Sequence, residues 1–202
     1  MLSSFQAFTT LAALLLGYAL GSIPFGLIVT RLAGKGDIRA IGSGNIGATN
    51  VLRTGSKKLA ALTLLLDAAK GSVAVVAAAW AFGLPTIPYA ATGALLGHLY
   101  PVWLRFRGGK GVATLLGILI PLLPFAALIY ALVWVGLLLV ARISSLAGMI
   151  AAASAPITAY LVGRIDLFPM LLGFALLVIW KHRANIARLR SGTEPRVGQK
   201  AV

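Results

Sequence analysis

Cysteine is absent from this chain. That excludes disulfides, thiolate metal sites and a cysteine nucleophile. Acidic residues are nearly absent too: four Asp and Glu stand against 18 Lys and Arg in 202 residues, a formal net charge of +14. A hard divalent cation needs several carboxylates in one place, whereas Asp37, Asp67 and Glu194 lie on three separate segments and Asp166 falls on the opposite side of the membrane by the orientation derived below. No dedicated metal site is expected. The H-x-x-x-H pair and the G-x-S-x-G elbow are missing. So is the H-x-x-x-x-D motif of one large acyltransferase group, because the fifth residue beyond His98 is Trp103 and beyond His182 is Ala187. An enzyme built from this inventory acts on substrates that arrive activated and anionic.

Charge of either sign is scarce, 11% of residues, where a soluble domain carries about 25%. Apolar residues make up 59%, and several charge-free runs approach or exceed the roughly 18 residues that suggest a membrane helix. A basic soluble protein would point to nucleic acid; these runs exclude that partner. Met1–Thr30 carries no charge and reads as a retained helix, not a signal peptide. Leu59–Ala81, interrupted by Asp67 and Lys70, and Thr86–Trp103 follow. Gly111–Ala141 is long enough for two spans, split by Pro121 to Pro124. Ile143–Val162 is the sixth, and Leu167–Trp180 the seventh, with the helix able to continue through "KHRANIARL" while Lys181 snorkels. The expectation is an all-α integral membrane protein, one polytopic domain over residues 1–202 with a basic tail from about 191. With the N-terminus outside, 16 of the 18 basic residues fall in inside segments, so the positive-inside rule sets seven spans with the C-terminus cytoplasmic. Attraction to anionic membrane lipid accounts for Arg190, Arg196 and Lys200.

This orientation puts every unusual polar stretch on one face: "IGSGNIGATNVLR" (41–53), "GHLYPVWLRFRGGKGVAT" (97–114) and "HRANIARLRSGTE" (182–194). Gly42, Gly44 and Gly47 have the G-x-G-x-x-G spacing, but a membrane helix precedes them where a dinucleotide fold needs a strand. "GGKG" fails as a Walker motif because Leu104 occupies the first glycine position and Gly111 the Ser/Thr position. What remains is shared physics. Glycine lets consecutive backbone N–H groups form a concave anion nest. Ser43, Asn45, Thr49 and Asn50 add donors; Arg53 and Lys110 add cations. One such cluster reads as a tight turn. Two, each with a cation, point to phosphate, with Gly42, Gly44, Gly108, Gly109 and Gly111 as the backbone contributors. His182 lies in a basic amphipathic run with Asn185 at i+3 and Arg188 at i+6. That placement suits hydrogen bonding or proton transfer beside phosphate, or interfacial anchoring. Asp67 and Lys70, at i,i+3, form either a functional intramembrane site or a structural ion pair, and His98 reads as packing.

The segments "GSIPFG", "GDIRAIGSGNIGATNVLR", "GHLYPVWLRFRGGKGVAT" and "HRANIARLRSGTE" resemble, in order and over essentially the whole chain, those of the bacterial acyl-phosphate:glycerol-3-phosphate acyltransferases, the PlsY family. The resemblance implies transfer of an acyl group from acyl phosphate to the sn-1 hydroxyl of glycerol 3-phosphate in phospholipid synthesis. Lysophosphatidate and phosphate would be the products, and no cofactor would be needed. It implies the bacterial inner membrane, with the site facing the cytoplasm. It also points to Ser43, Thr49, Arg53, Lys110, His182 and Asn185 as site residues. Of these, Ser43, Lys110, His182 and Asn185 are expected to be catalytic, and Arg188, in the same basic run as His182, is expected on phosphate. The alternative is a transporter for a phosphorylated metabolite, which would need a polar path through the outer half of the bilayer.

Overall fold

The computed structural model describes residues 4–198; Met1 of the first span and Lys200 of the basic tail lie outside them. Every regular element among the described residues is helical. The chain divides at Leu122/Leu123 into two compact units.

The first unit opens with α1 (Ser4–Gly21) and α2 (Phe25–Leu32). The charge-free run expected as one span breaks at Ser22–Pro24, where Pro24 immediately precedes α2. Together the two helices form a candidate span of 29 residues. The short α3 (Ala48–Leu52) follows, then α4 (Lys57–Phe82), α5 (Ile87–Leu99) and α6 (Val112–Leu122). Ser56 caps α4 by accepting from Leu59 N–H at 3.2 Å.

Small residues bring these helices together. A Cβ on Gly17 or Gly21 of α1 would collide with the carbonyl of Ala90 or Ala94 on α5. One on Gly93 or Gly97 would strike that of Leu14 or Tyr18. Both helices thus carry glycines four apart, letting backbones approach where lipid offers no hydrophobic drive. The same device joins α4 to α6, through Gly71 against the Thr114 carbonyl and Gly117 against that of Ala68. Pro121, inside α6, has no N–H for the Gly117 carbonyl four residues back. The Ser72 hydroxyl of α4 donates to that carbonyl at 2.6 Å instead.

The second unit contains α7 (Pro124–Ala141), α8 (Ser144–Leu161), α9 (Phe168–Lys181) and α10 (Arg183–Arg190). The α7 helix starts with Pro124 at its first position, and the α6–α7 break falls at Leu123. Half of the buried residues of α8 are alanine, including Ala147, Ala151, Ala155 and Ala159. The helix does not run straight through "KHRANIARL": it bends by 60° at His182.

Among the described residues, four segments are long and apolar enough to cross a membrane, and α9 with α10 gives a fifth if counted as one broken span. Helices α5 and α6, at 13 and 11 residues, are shorter. Large apolar side chains such as Trp80, Leu139, Val140 and Leu161 point outward, which suits lipid as the surrounding solvent.

Candidate active site

The first polar segment folds as a loop closed around Asn50. Asp37 caps a 3-10 turn (Ile38–Ala40) by accepting from Arg39 N–H at 2.9 Å. Hydrogen bonds from the Arg39 side chain, ahead of that backbone bond, hold the Asp37 carboxyl well below the usual carboxylate range. Gly42 and Gly44 then take φ of +56° and +66°, a region glycine enters without steric cost. The loop wraps over Asn50, which is 2% exposed. Its Nδ2 donates to the carbonyls of Ile38 (2.7 Å) and Ile41 (3.2 Å), and its Oδ1 accepts from Ser43 N–H (3.2 Å). Arg53 Nη1 stands 3.5 Å from the same Oδ1. Asn45 closes a local turn by accepting from Gly47 N–H at 2.8 Å. The side chains of Asn45 and Asn50 therefore bind their own loop, while those of Ser43, Thr49 and Arg53 lie at its exposed surface.

The second segment leaves α5 at Leu99. Tyr18 of α1 bridges it, donating to the Tyr100 carbonyl at 2.9 Å and accepting from Val102 N–H at 3.0 Å. The Trp103 indole donates to the Ser22 carbonyl at 2.9 Å. The chain turns back through Arg105 and Phe106, both at positive φ. Gly108 and Gly109 N–H then donate to the carbonyls of Leu99 (3.3 Å) and His98 (2.9 Å). A Cβ on Gly108 would collide with the His98 carbonyl, and one on Gly109 with the His98 ring. Lys110 follows, and Gly111 at φ +87° leads into α6. Lys110 is thus delivered at a helix N-terminus, where backbone N–H groups and the helix dipole both favour an anion.

The third segment is in the second unit. His182 (3% exposed) and Asn185 (5%) are buried at the α9–α10 bend. His182 Nδ1 lies 2.8 Å from the Val178 carbonyl. A carbonyl only accepts, so this bond assigns the proton to Nδ1 and leaves the neutral ring's lone pair on Nε2. Glu194, which the sequence showed only as an isolated acid, organises this segment. It accepts from Ser145 Oγ (2.6 Å), Asn185 Nδ2 (2.5 Å) and Arg188 Nε (2.7 Å). Arg188, expected on phosphate, makes an ion pair with Glu194. Nothing in the local pattern shows this; Ser145 is 49 residues away.

Burial acts to raise the Glu194 pKa, but bonds from Ser145, Asn185 and Arg188 outweigh it and the carboxyl is lowered. A depressed carboxylate contributes stability that is present above its unfolded value, about 4.3, and lost as pH falls through the folded value. Glu194→Ala should cost about 2–3 kcal/mol at pH 7. Thermal unfolding in detergent checks this: the gap to the unmodified protein narrows in acid. A gap unchanged down to about pH 3, beneath the ordinary carboxylate range, rejects the account.

Asp37, Asp67 and Glu194 each make an ion pair, with Arg39, Lys70 and Arg188 respectively. In the first unit, Ser43, Thr49 and Arg53 lie exposed on one glycine loop and Lys110 is half-buried at the other; in the second unit, the His182 ring directs Nδ1 at the Val178 carbonyl. The family model described as glycerol-3-phosphate acyltransferase matches residues 11–192. The chain belongs to that family. A glycerol-3-phosphate acyltransferase of Sinorhizobium medicae is 55% identical over 194 residues, covering 95% of this chain and 94% of the relative. One of Brucella melitensis is 56% identical over 190 residues, covering 94% of each. Among solved structures, PlsY, an integral membrane glycerol 3-phosphate acyltransferase, matches in its glycerol 3-phosphate form. The TM-score is 0.87 at 40% identity, covering 94% of this chain and 96% of that one. The all-helical architecture is therefore that of an integral membrane acyltransferase family.

Proposed function

We propose that this acyltransferase moves an acyl group from acyl phosphate directly to the sn-1 hydroxyl of glycerol 3-phosphate. The carrying observation is the pair of glycine loops in the first unit, each presenting a cation, Arg53 or Lys110, beside backbone that turns at positive φ. Two phosphorylated substrates must approach each other, and cations with fixed N–H donors offset their repulsion. Ser43, Thr49, Arg53 and the backbone of Gly42 are assigned to one phosphate; the Gly44 N–H, expected there too, is bonded to the Ile41 carbonyl and closes the turn. Lys110, at the start of α6, is assigned to the other; the Gly108 and Gly109 N–H groups, expected on phosphate, are instead bonded to the Leu99 and His98 carbonyls and hold the turn that presents Lys110. Asn45 and Asn50 hold the first loop in shape.

The hydroxyl oxygen attacks the acyl carbon, the bond from that carbon to the bridging phosphate oxygen breaks, and inorganic phosphate leaves with the electron pair. The hydroxyl proton passes to His182 Nε2 or to a phosphate oxygen. Within the second unit, Glu194 holds Asn185 and Arg188 in the same segment as His182. An acyl phosphate is already activated, so positioning supplies much of the acceleration, about 7–11 kcal/mol in favourable intramolecular cases.

The seven-span topology, with the N-terminus outside and these loops facing the cytoplasm of a bacterial inner membrane, completes the reading. It is supported by the concentration of basic residues in the inside segments. A C-terminal reporter should read cytoplasmic and an N-terminal one periplasmic; both on one side would overturn it.

Purified protein in detergent should release phosphate from palmitoyl phosphate only when glycerol 3-phosphate is present. Activity with an acyl thioester but not with acyl phosphate would reject the donor. Incubation with labelled acyl phosphate alone, followed by acid quench and intact mass, should show no adduct and no stoichiometric phosphate burst. The chain has no cysteine, and neither Ser43 nor Thr49, both in a glycine loop suited to holding an anion, has a partner base identifiable from the sequence of the kind a nucleophile needs. An adduct formed at a competent rate and discharged by glycerol 3-phosphate would overturn direct transfer.

A further inference from the structure

The phosphate reading leaves one charged motif unused, the pair inside α4. Asp67 and Lys70 are 3% and 4% exposed. Lys70 Nζ donates to Asp67 Oδ1 at 2.7 Å and to the Ile23 carbonyl at 2.9 Å. On its other side Asp67 Oδ1 is 3.8 Å from Nδ1 of the buried His98. Removing two charges from solvent commonly costs more than their attraction returns, so stability alone is a weak reason to keep them.

Their surroundings give a better one. His98 carries the second loop: Gly109 lies against its ring and donates its N–H to the His98 carbonyl. The Ile23 carbonyl belongs to the break before α2, and Gly26 on α2 abuts the Ile46 carbonyl in the first loop. Beside the pair, Ala68 and Gly71 receive the backbone of α6, which begins one residue after Gly111. One buried ion pair therefore reaches both glycine loops, the second through His98 and the first through the Ile23 carbonyl and Gly26 of α2.

We infer that Asp67 and Lys70 are positioning residues for acyl transfer, holding the two glycine loops in fixed relation through His98 on one side and the Ile23 carbonyl on the other. This rests on the reading of those loops as phosphate sites. Neither side chain touches substrate. Both act by setting where Lys110 and the first loop stand, and a displacement of about 1 Å can cost roughly 100-fold in rate.

The test is the double variant Asp67→Leu/Lys70→Met, because replacing both charges by apolar groups of similar volume is often neutral for folding. A nitroxide on Arg107→Cys, unique in a chain without cysteine, reports loop order. The expected result is unchanged thermal stability, a roughly 100-fold fall in kcat and a more mobile label. Unmodified kcat with unchanged mobility overturns the inference. If the double variant does not fold, His98→Leu decides: lost turnover at unchanged melting temperature supports the inference, and full turnover overturns it. Lys110→Ala, run alongside, separates the two levels. Full activity in Lys110→Ala removes the phosphate reading itself, whereas an inactive Lys110→Ala beside a fully active double variant removes only the positioning role.

Discussion

Lys110→Ala should lose roughly 100- to 1,000-fold in turnover, the range expected when one preorganised group is taken away from developing charge, and should remain folded. The backbone on both sides of Lys110 is fixed independently of its side chain. Gly108 and Gly109 are bonded to the Leu99 and His98 carbonyls, and Gly111 turns into α6. The substitution therefore removes a point charge and leaves the backbone turn that presents it. Arg105→Ala is the matched control. Arg105 is exposed, caps a short 3-10 turn and stands outside the glycine cluster. Its contribution should be long-range attraction of anionic substrates, which salt screens within about 8–10 Å. Raising ionic strength should therefore erase the Arg105→Ala deficit and leave the Lys110→Ala deficit in place. Phosphate-release rates at saturating acyl phosphate, with melting temperature as the folding control, decide it. Equal deficits that vanish together in salt would reduce Lys110 to general surface charge.

The sequence made the helices visible because a charged side chain is costly in hydrocarbon, so absence of charge marks a span. That same signal hid the break at Ser22–Pro24, since nothing charged interrupts the run. It also could not locate the α6–α7 break, because Pro121 stays in α6 with Ser72 bonding the carbonyl it leaves open. In the candidate site, glycines and cations were legible as anion chemistry because that chemistry depends on residue type. What each amide does was not. Asn50 bonds Ile38, twelve residues away, and no local spacing distinguishes an asparagine that faces a ligand from one that closes its own loop. The expectation of Arg188 on phosphate likewise misses its pairing with Glu194, which depends on the turn after α10. Gly109 reads as nest backbone, yet it is also the only residue type that leaves room for His98.

Gly42→Ala should reduce turnover by roughly 100-fold, the cost of small misplacement in a reacting complex, whereas Gly44→Ala should retain most activity. The two glycines have nearly the same backbone, φ +56° and +66°, so alanine carries the same left-handed penalty of about 1–2 kcal/mol at each. Their surroundings differ. A Cβ on Gly42 would fall on the Arg53 guanidinium, 2.5 Å from Arg53 Cδ and 2.6 Å from Asn50 Oδ1. One on Gly44 would meet only the Arg39 carbonyl, at 3.4 Å. Alanine at 42 must therefore displace Arg53 and disturb the Asn50 oxygen that holds Ser43 N–H. Alanine at 44 strains the turn and leaves that arrangement alone. Arg53 has a flexible side chain, so the Gly42 variant should fold, with the loss appearing in kcat/KM for glycerol 3-phosphate and not in expression or melting temperature. Equal losses at 42 and 44 would assign the effect to backbone strain. Full activity at 42 would mean that the placement of Arg53 against this loop has no part in catalysis.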